Sequence, residues 1–235
     1  MTVFDIKIAS DIICPWCYLG EKRLRRAIEL FRRTYPSGRN DTFNITHVPY
    51  LLNPDAPYPS IPIQERMLER MGAGRTAKVQ EHLIRLGHAE GIAFKFGGKV
   101  GRTRDMHRLV QLAMEKDGKN ANGSSNPENE RLEDRVMEEL YRVYFEEEKD
   151  VAELDVLVEV GVRTGLGNET ELRDWLKSDA GGKAVDTALQ GLKAKGVKGV
   201  PWFEIQGTHI IDGAEDPGEF YELFVKIKGE ERGQA

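Results

Sequence analysis

Apolar and polar residues alternate over Val3-Phe4-Asp5-Ile6-Lys7-Ile8-Ala9, the period-two pattern of a half-buried strand, until Ser10-Asp11 breaks it. The period then changes. Leu24, Ala27, Ile28 and Phe31 recur at helical spacing, which predicts a helix from Pro15 to about Thr34 with one apolar face. Pro15 suits the first helical turn, where its missing N–H costs nothing, so Cys14 falls at or just before the helix N-terminus. Tyr35 to Asp41 is a loop by its turn residues, and Phe43-Asn44-Ile45-Thr46-His47-Val48 alternates again. Strand, helix and strand predict a βαβ unit with parallel strands and a right-handed crossover.

The character changes at Asn53. Four prolines between Asn53 and Pro62 predict an extended connector that is neither helix nor strand. From there to about Gly196 nearly everything is predicted helical, with stripes at Ile63, Met67 and Met71, at Val79, Leu83 and Leu86, at Met106, Leu109, Val110 and Ala113, and at Leu132, Val136, Leu140 and Tyr144. Asn168-Glu169-Thr170-Glu171 carries a capping box ahead of Leu172, Trp175 and Leu176. The polar run from Asp117 to Pro127 is expected to be a flexible loop. Strands return at Pro201 to Ile205 and Thr208 to Ile211 around Gln206-Gly207, a hairpin signature, before a final helix marked by Phe220, Leu223, Phe224 and Ile227. The outer segments, 1–52 and 181–235, thus frame an all-helical block over 53–180, an α/β arrangement with an insertion.

Composition narrows the function classes. The 235 residues are 40% hydrophobic and 31% charged with a net charge of -5, which provides no overall basic surface and argues against nucleic acid as a partner. No apolar run approaches the roughly 18 residues that span a bilayer, so no membrane segment is expected. The first residues lack a basic stretch followed by an apolar one, so a cytoplasmic location is expected, where thiols are held reduced. The only two cysteines, Cys14 and Cys17, stand at CxxC spacing. A single pair cannot staple a chain of this length, and in a reducing compartment that spacing points to catalysis or metal.

Thiol–disulfide exchange needs a thiolate, and a helix N-terminus favours one through its unpaired N–H donors and the positive end of its dipole. Cys14 is therefore expected to be the more exposed, attacking cysteine. Cys17, one turn further in, would resolve the mixed disulfide. Two inert buried cysteines would explain the count but not the spacing at a strand-to-helix junction beside Pro15. Zinc would need about four ligands, and His47, His82, His88, His107 and His209 are scattered with no second CxxC.

Other candidates are weaker. Asp11 could tune or relay a proton for Cys17, or simply bond nearby backbone. His107 lies off the apolar stripe of its helix and could face a groove or solvent. Trp16 is expected on a substrate-facing rim with Pro15, Trp175 and Trp202 in the core, and Glu146-Glu147-Glu148 on a solvated face.

The stretch from Ser10 through Cys14-Pro15-Trp16-Cys17 to Gly20 resembles the DsbA-like branch of the thioredoxin superfamily, and within it the FrnE-type subfamily. So do Thr103 with His107-Arg108-Leu109, Leu140 to Phe145 through Asp150, Gly196 to Pro201, and Ile211 to Ala214. The resemblance implies a thioredoxin-like fold with a large helical domain inserted. It also implies that Pro201 has a cis bond and packs beside the CxxC, and that the backbone of Val200 pairs with a bound peptide or thiol. The subfamily often has Asn-Thr where this chain has Arg102-Thr103. If that helix start borders the groove, Arg102 and Arg104 would favour an anionic substrate such as glutathione.

The implied function is a thiol–disulfide oxidoreductase acting on a disulfide-containing protein or a small thiol, with no bound cofactor and glutathione as a candidate co-substrate. The rivals are glutathione transferases of the kappa class and 2-hydroxychromene-2-carboxylate isomerases, which share the architecture but carry serine at the first position, and a thioredoxin-like binding protein without turnover. The helical block could also supply a homodimer face.

Overall fold

The computed structural model describes residues 1–120 and 131–233. Strand β1 (Val3–Ser10) pairs in parallel with β2 (Thr42–Pro49), Val3 opposite Thr42 through Ser10 opposite Pro49, and helix α1 (Pro15–Thr34) makes the crossover. The chain's last third returns two strands, β5 (Trp202–Ile205) and β6 (His209–Asp212), and a final helix α8 (Pro217–Gly233). Both late strands run antiparallel to their neighbours, and the sheet order is β2-β1-β5-β6.

Alternation in β1 delivers Phe4, Ile6 and Ile8 to one buried surface. They pack with Leu24, Ala27, Ile28 and Phe31 of α1, Phe203 and Ile205 of β5, and Phe220, Phe224 and Ile227 of α8. The Phe4 ring stacks on Phe43 at 4.7 Å and meets Phe31 edge-on at 5.7 Å.

Among the described residues, a short ribbon and six helices lie between β2 and β5. Strand β3 (Ile61–Pro62) pairs antiparallel with β4 (Lys99–Val100) on either side of α2 (Ile63–Ala89); then follow α3 (Arg104–Asn120), α4 (Leu132–Phe145), α5 (Leu154–Arg163), α6 (Glu169–Lys177) and α7 (Gly182–Ala194). These helices build a second core from Leu109, Val136, Leu140, Tyr141, Phe145, Leu157 and Leu172 among others. Ile12, Cys14, Cys17, Tyr18 and Leu19 belong to this second core, whereas Leu24 to Phe31 belong to the first. A single helix, α1, therefore serves both.

Several expectations are corrected. The proline connector ends in β3, because Ile61 and Pro62 pair with a partner that lies beyond α2. Helix α2 is two helical pieces broken at Gly72, whose φ of 73° and ψ of 164° no helix accommodates. Residues 91–103 are irregular apart from β4, although Phe94 and Phe96 are buried. The run expected to be a loop from Asp117 is still helical through Asn120; the rest of that expectation lies outside the described residues. Trp175 and Trp202 are half-buried, with Arg108 5.0 Å from one ring and Lys195 5.8 Å from the other. Glu146, Glu147 and Glu148 are partly buried and engaged: Glu146 accepts from the Tyr18 hydroxyl at 2.9 Å, Glu147 from Arg142 at 2.6 Å, and Glu148 from the Gly97 N–H at 2.6 Å. The Asn168 side chain caps α6 by accepting the Glu171 N–H at 3.0 Å.

A buried ion cluster joins the two parts. His47 of β2 sets Nδ1 2.9 Å from Glu133 of α4 and Nε2 3.3 Å from Glu21 of α1, and its backbone N–H donates to Glu133 at 2.6 Å. Arg25 bridges Glu21 at 2.8 Å and Asp134 at 3.0 Å. Burial alone would lower the His47 pKa; Glu21 and Glu133 outweigh it and raise it to about 10. Burial would raise that of Glu21; His47 and Arg25 outweigh it and lower it to about 2.

A histidine raised from 6.5 to about 10 contributes its full stability below pH 6.5 and loses it as pH rises through 10. Glu21 contributes fully above pH 4.5 and loses its share as pH falls through 2. His47→Leu should leave Glu21 and Glu133 facing each other without the imidazolium, costing about 3–5 kcal/mol and flattening the alkaline decline. Urea unfolding of both proteins at pH 7 and pH 10 measures this, and equal midpoints at pH 7 would reject the cluster as a stabilising unit.

Candidate active site

Ser10 ends β1, and the chain turns through Asp11, whose backbone carbonyl accepts the Cys14 N–H at 3.0 Å. Cys14, with φ of -91° and ψ of 109°, is the N-cap of α1, and Pro15 is the first helical residue. The Cys17 N–H donates to Cys14 Sγ at 3.3 Å, so the sulfur takes the place that a serine or aspartate oxygen holds in an ordinary cap. The sulfur thus sits at the N-terminal end of α1 with a backbone N–H aimed at it. The same sulfur lies 3.7 Å from the Val200 carbonyl oxygen, to which a thiol there donates.

Both cysteines are free thiols. Cys14 is 3% exposed and Cys17 0%, so the expected contrast in accessibility is small, because both belong to the helical-block core and the Val200 carbonyl lies against the first sulfur. Burial, then Cys14, push the Cys17 thiol well above the ordinary range. Trp16 points outward at 36% exposure.

The Val200–Pro201 bond is cis, and Pro201 is buried. A Cβ on Gly20 would come within 3.1 Å of both Pro201 Cγ and the Phe203 ring, so the absence of a side chain at position 20 is what lets α1 approach β5. Gly20 was missed as a site residue; its signal was a glycine inside a helical run, where it otherwise costs stability.

Asp11 is buried, but its Oδ2 accepts the Leu52 N–H at 2.8 Å, tying β1 to the segment after β2. Its Oδ1 has no hydrogen bond and stands 3.6 Å from His107 Nε2. His107 is buried and does not line a groove: Nε2–H donates to the Tyr50 carbonyl at 3.0 Å. Arg102 is exposed, 5.9 Å from the Tyr58 ring, with Nε 3.5 Å from the Ala56 carbonyl, away from the thiols' contacts. Arg104 is neutralised by Asp179 at 2.8 Å and Asp186 at 2.9 Å. The structure thus brings Cys14, Cys17, Val200 and Pro201 together, sets Asp11 and His107 behind them, and leaves Arg102 apart.

Among the described residues, Glu21, His47 and Asp134 bring potential metal-ligating atoms within 4.8 Å of one another. Arg25 already bonds the carboxylates of Glu21 and Asp134, so its guanidinium supplies the positive charge those oxygens need. No helix among the described residues is long and apolar enough to cross a membrane.

Comparison with known proteins agrees with this architecture. The family described as DSBA-like thioredoxin domain matches residues 5–224. Comparison with curated proteins yields no match. Among solved structures, a probable DsbA oxidoreductase from Streptomyces coelicolor superposes with a TM-score of 0.82 at 25% identity, over 97% of this chain and 91% of that one. The cytosolic disulfide reductase DsbM from Pseudomonas aeruginosa superposes at 0.60 with 18% identity, over 96% and 98%, and has also been solved with GSH. A 2-hydroxychromene-2-carboxylate isomerase superposes at 0.64 with 13% identity, over 98% and 99%. The last two likenesses concern the fold alone. With its sheet order, its helical insertion and its cysteine pair at the start of α1, the chain belongs to the DsbA-like thioredoxin domain family.

Proposed function

We propose that this protein is a thiol–disulfide oxidoreductase that cycles Cys14 and Cys17 between dithiol and disulfide. The observation that carries the proposal is Cys14 Sγ at the N-cap of α1, accepting the Cys17 N–H at 3.3 Å and lying 3.7 Å from the Val200 carbonyl. Asp11, behind the pair, carries a buried carboxylate oxygen without a hydrogen bond and is the tuning residue of this reading.

In the reducing direction the Cys14 thiolate attacks one sulfur of a substrate disulfide. A bond forms between Cys14 Sγ and that sulfur, and the other substrate sulfur leaves as a thiolate. Cys17 then gives up its proton and attacks Cys14 Sγ. The Cys14–Cys17 bond forms, the second substrate thiolate leaves, and two electrons have passed from protein to substrate. The reverse sequence oxidises a dithiol.

Pro15, Trp16, Val200 and Pro201 form the substrate-contacting surface, with the Val200 backbone pairing an extended peptide or thiol. Glutathione as the small thiol, and a cytoplasmic setting, are supported by the cytosolic reductase that has been solved with GSH. Glutathione-dependent conjugation or isomerisation would not need Cys17, so activity that survives Cys17→Ser separates that chemistry from redox cycling.

Cys14→Ser should reduce insulin reduction to background, and retained turnover would reject the proposal. Cys17→Ser should instead accumulate a single glutathionyl adduct on Cys14 when treated with glutathione disulfide, seen by mass spectrometry of the intact protein. Brief iodoacetamide treatment of the native dithiol protein should label Cys14 before Cys17, with Cys17 reacting at a comparable rate only after unfolding. Peptide mapping checks the order, and labelling that starts at Cys17 would overturn the assigned roles.

A further inference from the structure

The second piece of α2, after the break at Gly72, carries Arg75, Lys78, His82 and Arg85 at spacings of three, four and three, which puts all four on one helical stripe. All four are exposed. Among the described residues no carboxylate pairs with Arg75, Lys78 or Arg85, and Glu81 beside the stripe pairs with none of them. Unneutralised charge of one sign in a row is unusual on a chain whose net charge is -5.

The stripe is anchored at the redox site. The His82 ring lies 6.0 Å from the ring of Trp16, inside the CPWC turn. Arg85 donates to His82 Nδ1 at 2.9 Å; a guanidinium cannot accept, so the free donor of this imidazole is Nε2–H. At the C-terminal end of α2, Glu90 bonds Arg26 at 3.2 Å and stands 3.6 Å from Arg23, which fixes this piece of α2 against α1. The row therefore passes the CPWC turn at His82, with Arg85 toward the C-terminal end of α2 and Lys78 and Arg75 on the other side.

We infer that the Arg75–Lys78–His82–Arg85 stripe is a docking rail for an acidic polypeptide segment flanking the disulfide that Cys14 attacks. The length favours a peptide over a small anion. Ten residues of helix span about 15 Å at about 1.5 Å each, the reach of four or five residues of extended chain at about 3.3 Å each. The inference rests on the oxidoreductase reading for what the rail is used for, and on the charge pattern for its existence. It also moves the cationic feature expected at Arg102 and Arg104, at the start of α3, to α2, since Arg104 is already paired.

The test uses two disulfide peptides that differ only in Glu against Gln beside the cysteine, with the wild type and an Arg75→Glu/Lys78→Glu/Arg85→Glu variant. All three substitutions are on exposed positions, and reduction of the uncharged 2-hydroxyethyl disulfide should stay unchanged. For the Glu peptide, KM should rise about tenfold or more with kcat held, and the wild-type preference for Glu over Gln should collapse when salt goes from about 0.02 to 0.5 M. An equal loss on both peptides, or no wild-type preference, would overturn the inference.

Calorimetry with non-reducible thioether versions of the same peptides provides a readout free of turnover. A Glu-over-Gln difference in wild type that the variant lacks supports the rail even if neither disulfide is reduced, an outcome that would count against the oxidoreductase reading alone. Tighter binding of a single-stranded oligonucleotide than of the Glu peptide would overturn the acidic-peptide assignment.

Discussion

The contact that the rest of the molecule depends on is the one between His47 and two carboxylates, Glu21 and Glu133. Three elements supply it: β2 of the sheet, α1, the helix that carries the cysteines, and α4 of the helical block. An imidazolium can satisfy one carboxylate from each ring nitrogen, and no other side chain presents two N–H groups from so compact a ring. Asp117 of α3 sets the same junction from the other side, its carboxylate accepting the Leu132 and Glu133 N–H groups at 3.1 and 3.0 Å and capping α4. The block and the sheet are thereby held by charges that tolerate little displacement, since each is removed from water.

That junction leaves α1 with two environments. Its first turns lie among Tyr141, Phe145 and Phe94, with Tyr18 stacked on Tyr141 at 4.8 Å, while its later turns rest on the sheet among Phe4 and Phe224. The cysteine pair lies on the helical-block side, ahead of the change from one core to the other between Leu19 and Leu24. This helix N-terminus is enclosed enough to keep Cys17 protonated, yet Trp16, Val200 and His82, from three separate stretches of the chain, meet around it.

Much of this was legible in the residues. Alternation at Val3 to Ala9, the helical spacing of Leu24 to Phe31, the Gln206-Gly207 turn and the Asn168 cap each state a local preference that the fold keeps. What was hidden depends on partners distant in sequence. His47 shares the phase of Ile45 in its strand, but nothing near it names Glu133, 86 positions on. His107 falls off its apolar stripe by period and is buried nonetheless, because Tyr50 and Asp11 close over it from outside its own helix. Ribbon β3–β4 is two residues wide and includes a proline, too short for any periodicity. Arg102 and Arg85 are alike as letters; only the packing of His82 near Trp16 shows that α2 is the helix that passes the CPWC turn.

Gly20 shows how small the tolerances are. It touches neither sulfur, yet the gap it leaves sets how closely α1 passes Pro201, and with it the 3.7 Å between Cys14 Sγ and the Val200 carbonyl. The missing methyl works as a shim left out of a machined joint. Any side chain added at that position presses on Pro201 and Phe203, so one residue that takes no part in the chemistry limits how closely the helix bearing the cysteines can pack on the strand behind Val200.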